Sequence, residues 1–360
     1  MKTPFLLSVA LLGLFACSNA APVKSADGLP PIIPERTRIA SKPAHVDLKA
    51  EQRAIAHNGP LPKDIEQKAG MALNATDGPR YVPSKSKRTT ISTATADQIK
   101  DLSYFTYLCS DSYYTSVIPG GEWRCANCDK TGKDVKLITT FDSTILDTNG
   151  YIARSEKKKQ IYVVFRGTVS TVNWLADFTF IPINYPPVKG AKVHAGFYKS
   201  YQEVSKKVIT LVQQQLDEHP DYEVIVAGHS LGGALAVLGV LDLYQRESRL
   251  NNKNLRLFTY GGPRVGNPDF AYYAVGTGIQ WWRSVHNRDV VPHMPPQAAG
   301  YLHPGLEFWI NDSKNVVQIC ESELETDSCS NSIVPFTNWN DHLKYYNIPI
   351  GIIEGVTNDA

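Results

Sequence analysis

An α/β architecture with a mostly parallel central sheet is what this 360-residue chain predicts, and three observations lead there. Between about residues 160 and 286, apolar segments of strand length alternate with longer amphipathic ones, as in parallel strands joined by helices. One strand, Tyr222 to Ala227, runs into Gly228-His229-Ser230-Leu231-Gly232 and then into a helix rich in Ala and Leu. A content of 42% hydrophobic and 20% charged residues describes a soluble globular protein with a sizeable core.

The chain begins with Lys2, the apolar stretch Phe5 to Ala16, and small residues at Ser18-Asn19-Ala20. That order is a secretory signal peptide over residues 1–20, cut after Ala20 or Ala21. Bulky Phe15 argues against lipid attachment at Cys17. No apolar run reaches the roughly 18 residues of a membrane-spanning helix. Residues 21–88 hold nine of the 23 prolines and a single aromatic, Tyr81. Such a segment buries too little apolar area to offset its ordering entropy as an independent domain. It ends in Lys85-Ser86-Lys87-Arg88, so it is either a solvated linker or, as export favours, a propeptide cut after Arg88. Its net charge is +5, against −4 for everything after residue 88. A mildly acidic mature domain gives no reason to expect nucleic acid as a partner.

The mature region reads as one domain, 89–360. Thr95 and Gln98 have capping-box spacing, and Ile99, Leu102, Phe105 and Cys109 continue at helical period. Thr148-Asn149-Gly150 reads as a hairpin turn with a strand on each side. Gln160 to Phe165 is a strand closed by Arg166-Gly167-Thr168, and 196–219 carries the apolar stripe of an amphipathic helix. Leu255 to Tyr260 and Ile279 to His286 are further strands, and 301–335 looks like an excursion with a small hairpin. Five cysteines follow the signal. Export makes disulfides the default, so Cys125–Cys128 is expected as a local bridge and Cys320–Cys329 as a second, with Cys109 free. No metal site or cofactor motif is visible.

Chemistry centres on Ser230. A sharp strand-to-helix turn exposes its hydroxyl, while the new helix offers backbone N–H groups, that of Leu231 first, to a developing oxyanion. A serine needs a base, and the base an acid to orient it. In elbow-type hydrolases these follow as Ser, Asp or Glu, then His. Of the downstream aspartates Asp242, Asp269, Asp289, Asp312, Asp327 and Asp341, only Asp289 sits just past a strong strand. Among His293, His303 and His342, the last follows a long connection able to fold back over the sheet, and chain order favours it without settling the choice.

These residues carry a resemblance to the secreted triacylglycerol lipases of filamentous fungi of the Rhizomucor–Rhizopus type, covering most of 90–348. It rests on Phe165-Arg166-Gly167-Thr168, Asn173-Trp174-Leu175-Ala176-Asp177, the 228–233 elbow, Pro263-Arg264-Val265-Gly266, Arg288-Asp289-Val290-Val291-Pro292-His293 and Asn331 to Phe336. The resemblance implies an α/β-hydrolase fold, the triad Ser230, Asp289 and His342, and Thr168 as second oxyanion donor beside Leu231. It also implies that Val169 to Phe180 is a short helical lid bearing Val172, Trp174 and Leu175 over an apolar cleft. Two departures stand out. Val172 replaces an arginine common in such lids, and Tyr114 replaces a cysteine whose partner is also absent from Gly351 to Gly355. The implied partner is a lipid–water interface met by a monomer, without stable transmembrane insertion. A carboxyl or feruloyl esterase is the alternative, and a non-catalytic lipid-binding relative a more distant one. Asn311-Asp312-Ser313 and Asn74-Ala75-Thr76 are N-glycosylation motifs.

Overall fold

The parallel strands that hydrophobic patterning predicts pair side by side, and further strands add to both flanks of the sheet they form. The computed structural model describes residues 28–39, 89–117, 123, 125, 127–145, 148–168, 180–334 and 336–351. In chain order, the elements are β1 (Ile91–Thr93), α1 (Ala96–Asp111), short α2 (Cys128–Thr131), β2 (Val135–Ser143), β3 (Thr148–Ser155) and β4 (Gln160–Phe165). After these come β5 (Pro182–Asn184), β6 (Lys192–His194), α3 (Ala195–Glu218), β7 (Glu223–His229), α4 (Leu231–Arg246), β8 (Leu255–Tyr260) and α5 (Pro268–Gly276). Then β9 (Gln280–His286), β10 (Leu306–Asn311), β11 (Val316–Cys320), β12 (Lys344–Tyr345) and β13 (Ile348–Pro349) complete the set.

The main sheet has nine strands in the order β1-β11-β10-β9-β8-β7-β4-β3-β2. β4, β7, β8, β9 and β10 run parallel, flanked by antiparallel β3 and β2 on one side and β11 and β1 on the other. Alternation along β4 divides the interior between the sheet's two faces. Ile161, Val163 and Phe165 join a cluster with α3 and α4 residues such as Val208 and Leu238, whereas Tyr162 and Val164 join Leu102, Phe105 and Leu108 of α1. α1 opens with the expected capping box: Gln98 N–H donates to Thr95 Oγ1 at 3.2 Å, and Thr95 N–H to Gln98 Oε1 at 2.8 Å.

Two sequence expectations are corrected. Thr148-Asn149-Gly150 is not the hairpin turn but the start of β3, where Gly150 pairs with Phe141 and Phe165. Glycine suits that place because a Cβ there would lie 2.3 Å from the Phe141 ring, so packing, not turn geometry, explains it. Residues 301–335 carry the expected hairpin, β10–β11, but it is not an excursion from the sheet. Their strands β10 and β11 extend the main sheet, and β1 pairs on to β11. The second assignment needed partners outside the segment, β9 and the distant β1.

Cys125–Cys128 and Cys320–Cys329 are bonded, and Cys109 is a buried free thiol. Asn311 is buried, with its amide nitrogen donating to Gln318 at 2.9 Å, so the folded domain does not present it for glycosylation. No described helix is long and apolar enough to cross a membrane.

Residues 28–39, from the proline-rich N-terminal segment, dock at the C-terminal end of α4. Leu29 enters the α3–α4 core cluster. Ile33 N–H donates to the Gln245 carbonyl at 2.9 Å. The Arg36 guanidinium donates to the carbonyls of Tyr244, Glu247 and Ser248 at 2.5, 2.9 and 3.0 Å, satisfying acceptors that a helix end leaves open. Arg246 in turn donates to the Pro30 carbonyl. The remainder of 21–88, with Asn74 and the basic Lys85 to Arg88 stretch, lies outside the described residues.

Candidate active site

The carboxyl ends of β4, β7 and β9 carry Thr168, Ser230 and Asp289, at the crevice where open parallel sheets bind ligands. Ser230 follows β7 at the N-cap position of α4, with φ 58° and ψ −132°. A left-handed φ is strained for a residue with a Cβ, and the neighbouring glycines show what maintains it. A Cβ on Gly228 would lie 2.2 Å from the Gly232 carbonyl oxygen, and one on Gly232 would lie 2.2 Å from that of Phe165. The helix therefore starts hard against two strands, with Leu231 as its first residue.

Asp289 lies just beyond β9 and is wholly buried. Its Oδ2 accepts hydrogen bonds from His342 Nδ1 at 2.8 Å and Tyr345 Oη at 2.5 Å, while Oδ1 accepts from Val291 N–H at 2.9 Å. His342 comes from the short helical turn Asn340–Leu343. That turn is fastened to the Asp289 loop because Asp341 Oδ2 accepts from Arg288 N–H, Asn287 Nδ2 and Asn338 Nδ2 at 2.9, 3.0 and 2.8 Å. Asn338 also exchanges backbone hydrogen bonds with Arg288 and Val290. With Nδ1–H committed to the carboxylate, Nε2 of His342 is left as an acceptor.

The Asp289–His342 half of the predicted triad is thus joined, and the Ser230 link is not. Ser230 Oγ and His342 Nε2 are buried, and neither has a hydrogen-bond partner among the described residues. Catalytic hydrogen bonds often close only around substrate. Thr168 is buried at the end of the β4 segment, and Leu231 at the start of α4. Val172, Trp174 and Leu175 lie outside the described residues.

The competing side chains have other work. His293 faces Asn331 Oδ1 at 3.1 Å, and His303 faces the Pro292 carbonyl at 2.8 Å. Burial pushes the His293 imidazole down to about 4 and that of His303 well below its ordinary value. Asp312 pairs with His286, and Asp242 with Arg246 and Tyr201. Sequence reasoning missed Tyr345, Asn338 and Asp341 as supports. The adjacency of Asp341 and Tyr345 to His342 was the available signal, but nothing in their spacing specified the Asp289 loop as their partner.

A strained serine at a strand–helix elbow beside a buried Asp–His pair defines a serine hydrolase of the α/β-hydrolase fold. Residues 162–299 match the lipase (class 3) family. The chain is 51% identical over 342 residues to a lipase of Rhizomucor miehei, covering 93% of each, and 47% identical over 365 residues to one of Rhizopus oryzae, covering 96% of this chain and 93% of the other. The solved native Rhizomucor miehei lipase propeptide complex superposes with a TM-score of 0.77 at 50% identity, covering 91% of this chain and all of the other. A triacylglycerol lipase whose catalytic centre is described as a serine protease triad superposes with a TM-score of 0.71 at 52% identity, covering 74% and all, respectively. The chain belongs to the class 3 lipase family.

Proposed function

We propose that this chain is a secreted triacylglycerol lipase acting at lipid–water interfaces. The observation that carries the reading is the buried Asp289–His342 pair opposite the strained Ser230 elbow. Ser230 Oγ attacks a glyceride carbonyl while its proton passes to His342 Nε2, and Asp289 stabilises the imidazolium. The tetrahedral oxyanion is held by Leu231 N–H and by Thr168 through its N–H and hydroxyl, each such donor supplying about 10²–10³ in rate. Collapse expels the glycerol alkoxide, which takes the proton from His342. Water, activated by the same imidazole, then releases the fatty acid from Ser230. Each step uses the chain's own groups.

Val169 to Phe180 is proposed as the lid, opening where its apolar side meets lipid. Val172 in place of arginine shifts its open-state contacts from polar to apolar. Ile181 at its exit and Phe336 near the His342 loop are exposed at 54% and 71%, which supports contact with an apolar phase on this side. The chain works as a monomer, with residues 1–20 the export signal and 21–88 a propeptide. Docking of 28–39 on α4 supports a propeptide held by the domain rather than a free linker.

The test compares parent and Ser230→Ala on a short-chain triglyceride below and above its solubility limit. The expected result is a rate jump above that limit in the parent and none in the variant. Smooth saturation with no preference for emulsion makes the chain an esterase, and failure of a serine-directed phosphonate to label Ser230 removes the catalytic reading.

A further inference from the structure

Beneath the triad, three buried hydrogen bonds in series connect the catalytic histidine to the oxyanion strand. His229 Nε2 lies 3.0 Å from the His342 carbonyl oxygen, and His229 Nδ1 lies 2.8 Å from Tyr113 Oη. Tyr113 Oη accepts from Gly167 N–H at 3.1 Å. Tyr113 and His229 are each 1% exposed, so water does not compete for these bonds.

The ends of the series fix its direction. A backbone carbonyl only accepts and a backbone N–H only donates. His229 must therefore carry its proton on Nε2 and accept at Nδ1 from the tyrosine hydroxyl, which accepts in turn from Gly167. A second proton on His229 would turn Nδ1 into a donor facing Tyr113 and break this order. Burial, followed by the proximity of His342, holds the His229 imidazole well below its ordinary value, so it stays neutral.

Four separate segments meet in this series: the residue after the α1 cap, the end of β7, the end of the β4 segment and the turn carrying His342. Gly167 immediately precedes Thr168, and His229 immediately precedes Ser230. We infer that Tyr113 and His229 are positioning residues that hold the His342 turn and the Thr168 oxyanion donor in register with Ser230. The inference rests on the proposed roles of those three residues. It extends them by making the base and the oxyanion donor mechanically dependent on one buried tyrosine–histidine pair. Misplacing a reacting group by about 1 Å costs on the order of 10²-fold in rate, so even a small slackening of the series is visible.

The test uses full-length Tyr113→Phe, His229→Asn and the double variant on a soluble short-chain ester, with rates normalised to serine titrated by a phosphonate. The expected result is a fall in kcat of about 10–100-fold in each single variant with KM within about twofold of the parent. Because the two act as one series, the double variant falls no further than the worse single. A kcat per titrated serine within about twofold of the parent for Tyr113→Phe, or multiplicative losses in the double, overturns the inference. Nitrogen NMR of the histidine-labelled parent tests the wiring without any substitution. His229 is expected to stay protonated at Nε2 alone from about pH 5 to 8, and a proton on Nδ1 or titration in that range overturns the series even if a variant fails to fold. Failure of the parent itself to bind the phosphonate strikes the proposed function, whereas a labelled parent with undisturbed variants strikes only this inference.

Discussion

Asp289 and Asp111 are both wholly buried aspartates, yet their surroundings ask opposite things of them. Asp289 receives three donors, from His342, Tyr345 and Val291, and so acts as an acceptor through both oxygens. Asp111, at the end of α1, has among the described residues one side-chain hydroxyl near it, Thr131 Oγ1 at 3.5 Å. Its other oxygen lies 3.1 Å from Cys125 Sγ. That sulfur belongs to a disulfide and carries no hydrogen, so in this contact the carboxyl must be the donor. Burial pushes the Asp111 carboxyl up to about 8, against the lowering effect of Thr131. Burial alone does not decide what a carboxyl does. The number of donors aimed at it does.

Removing the charge at Asp289 is the most severe way to test that contrast. In Asp289→Asn, an amide NH₂ facing Nδ1 forces His342 to put its proton on Nε2, the atom that receives the Ser230 proton in the proposed mechanism. We expect kcat to fall by about 10⁴ with the fold intact; a loss below about tenfold, measured on phosphonate-titrated enzyme, contradicts the assignment of Asp289. Removing one donor while keeping the carboxylate is gentler. Tyr345→Phe leaves Oδ2 with His342 alone, and a buried hydrogen bond to a charged group is worth about 1.5–3 kcal/mol. The expected fall in kcat is about tenfold, because the carboxylate gains freedom to swing away from Nδ1. An unchanged kcat places Tyr345 in packing rather than in aligning the acid.

Part of this contrast was readable from residues alone and part was not. The Gly-x-Ser-x-Gly elbow is local: strand, turn and helix are contiguous, and two glycines mark the close approach at Gly232 and Phe165. Asp289 was legible because a strongly apolar strand delivers it. The choice of His342 needed chain order and the resemblance, since the turn that places it is short and polar. Asp341, Asn338 and Tyr345 were not legible because each acts on a loop about 50 residues away. The same cause hid the pairing of β10 with β9 and of β11 with β1, and the docking of 28–39 on α4. Composition gives that proline-rich segment too little apolar area for a core of its own, but it does not report that Leu29 uses the core of the domain.

Asp111→Asn should have the smallest effect on rate and a distinctive one on stability. Asparagine keeps a donor for the Cys125 sulfur and has no proton to lose. In the parent, the folded carboxyl stays protonated up to about 8, whereas an unfolded aspartate ionises near pH 3.9. Between those values, unfolding releases a proton, so the Asp111 contribution to stability decreases as pH rises through that window, by up to about 1.4 kcal/mol per pH unit. The contribution is complete below the unfolded value and exhausted once pH passes the folded one. Urea unfolding at pH 5, 6 and 7 should therefore show a steeper decline in the parent than in Asp111→Asn, with kcat in the two within about twofold. Parallel declines would mean that Asp111 is ionised in the folded state, and then the 3.1 Å contact would set a carboxylate against a disulfide sulfur with no hydrogen between them.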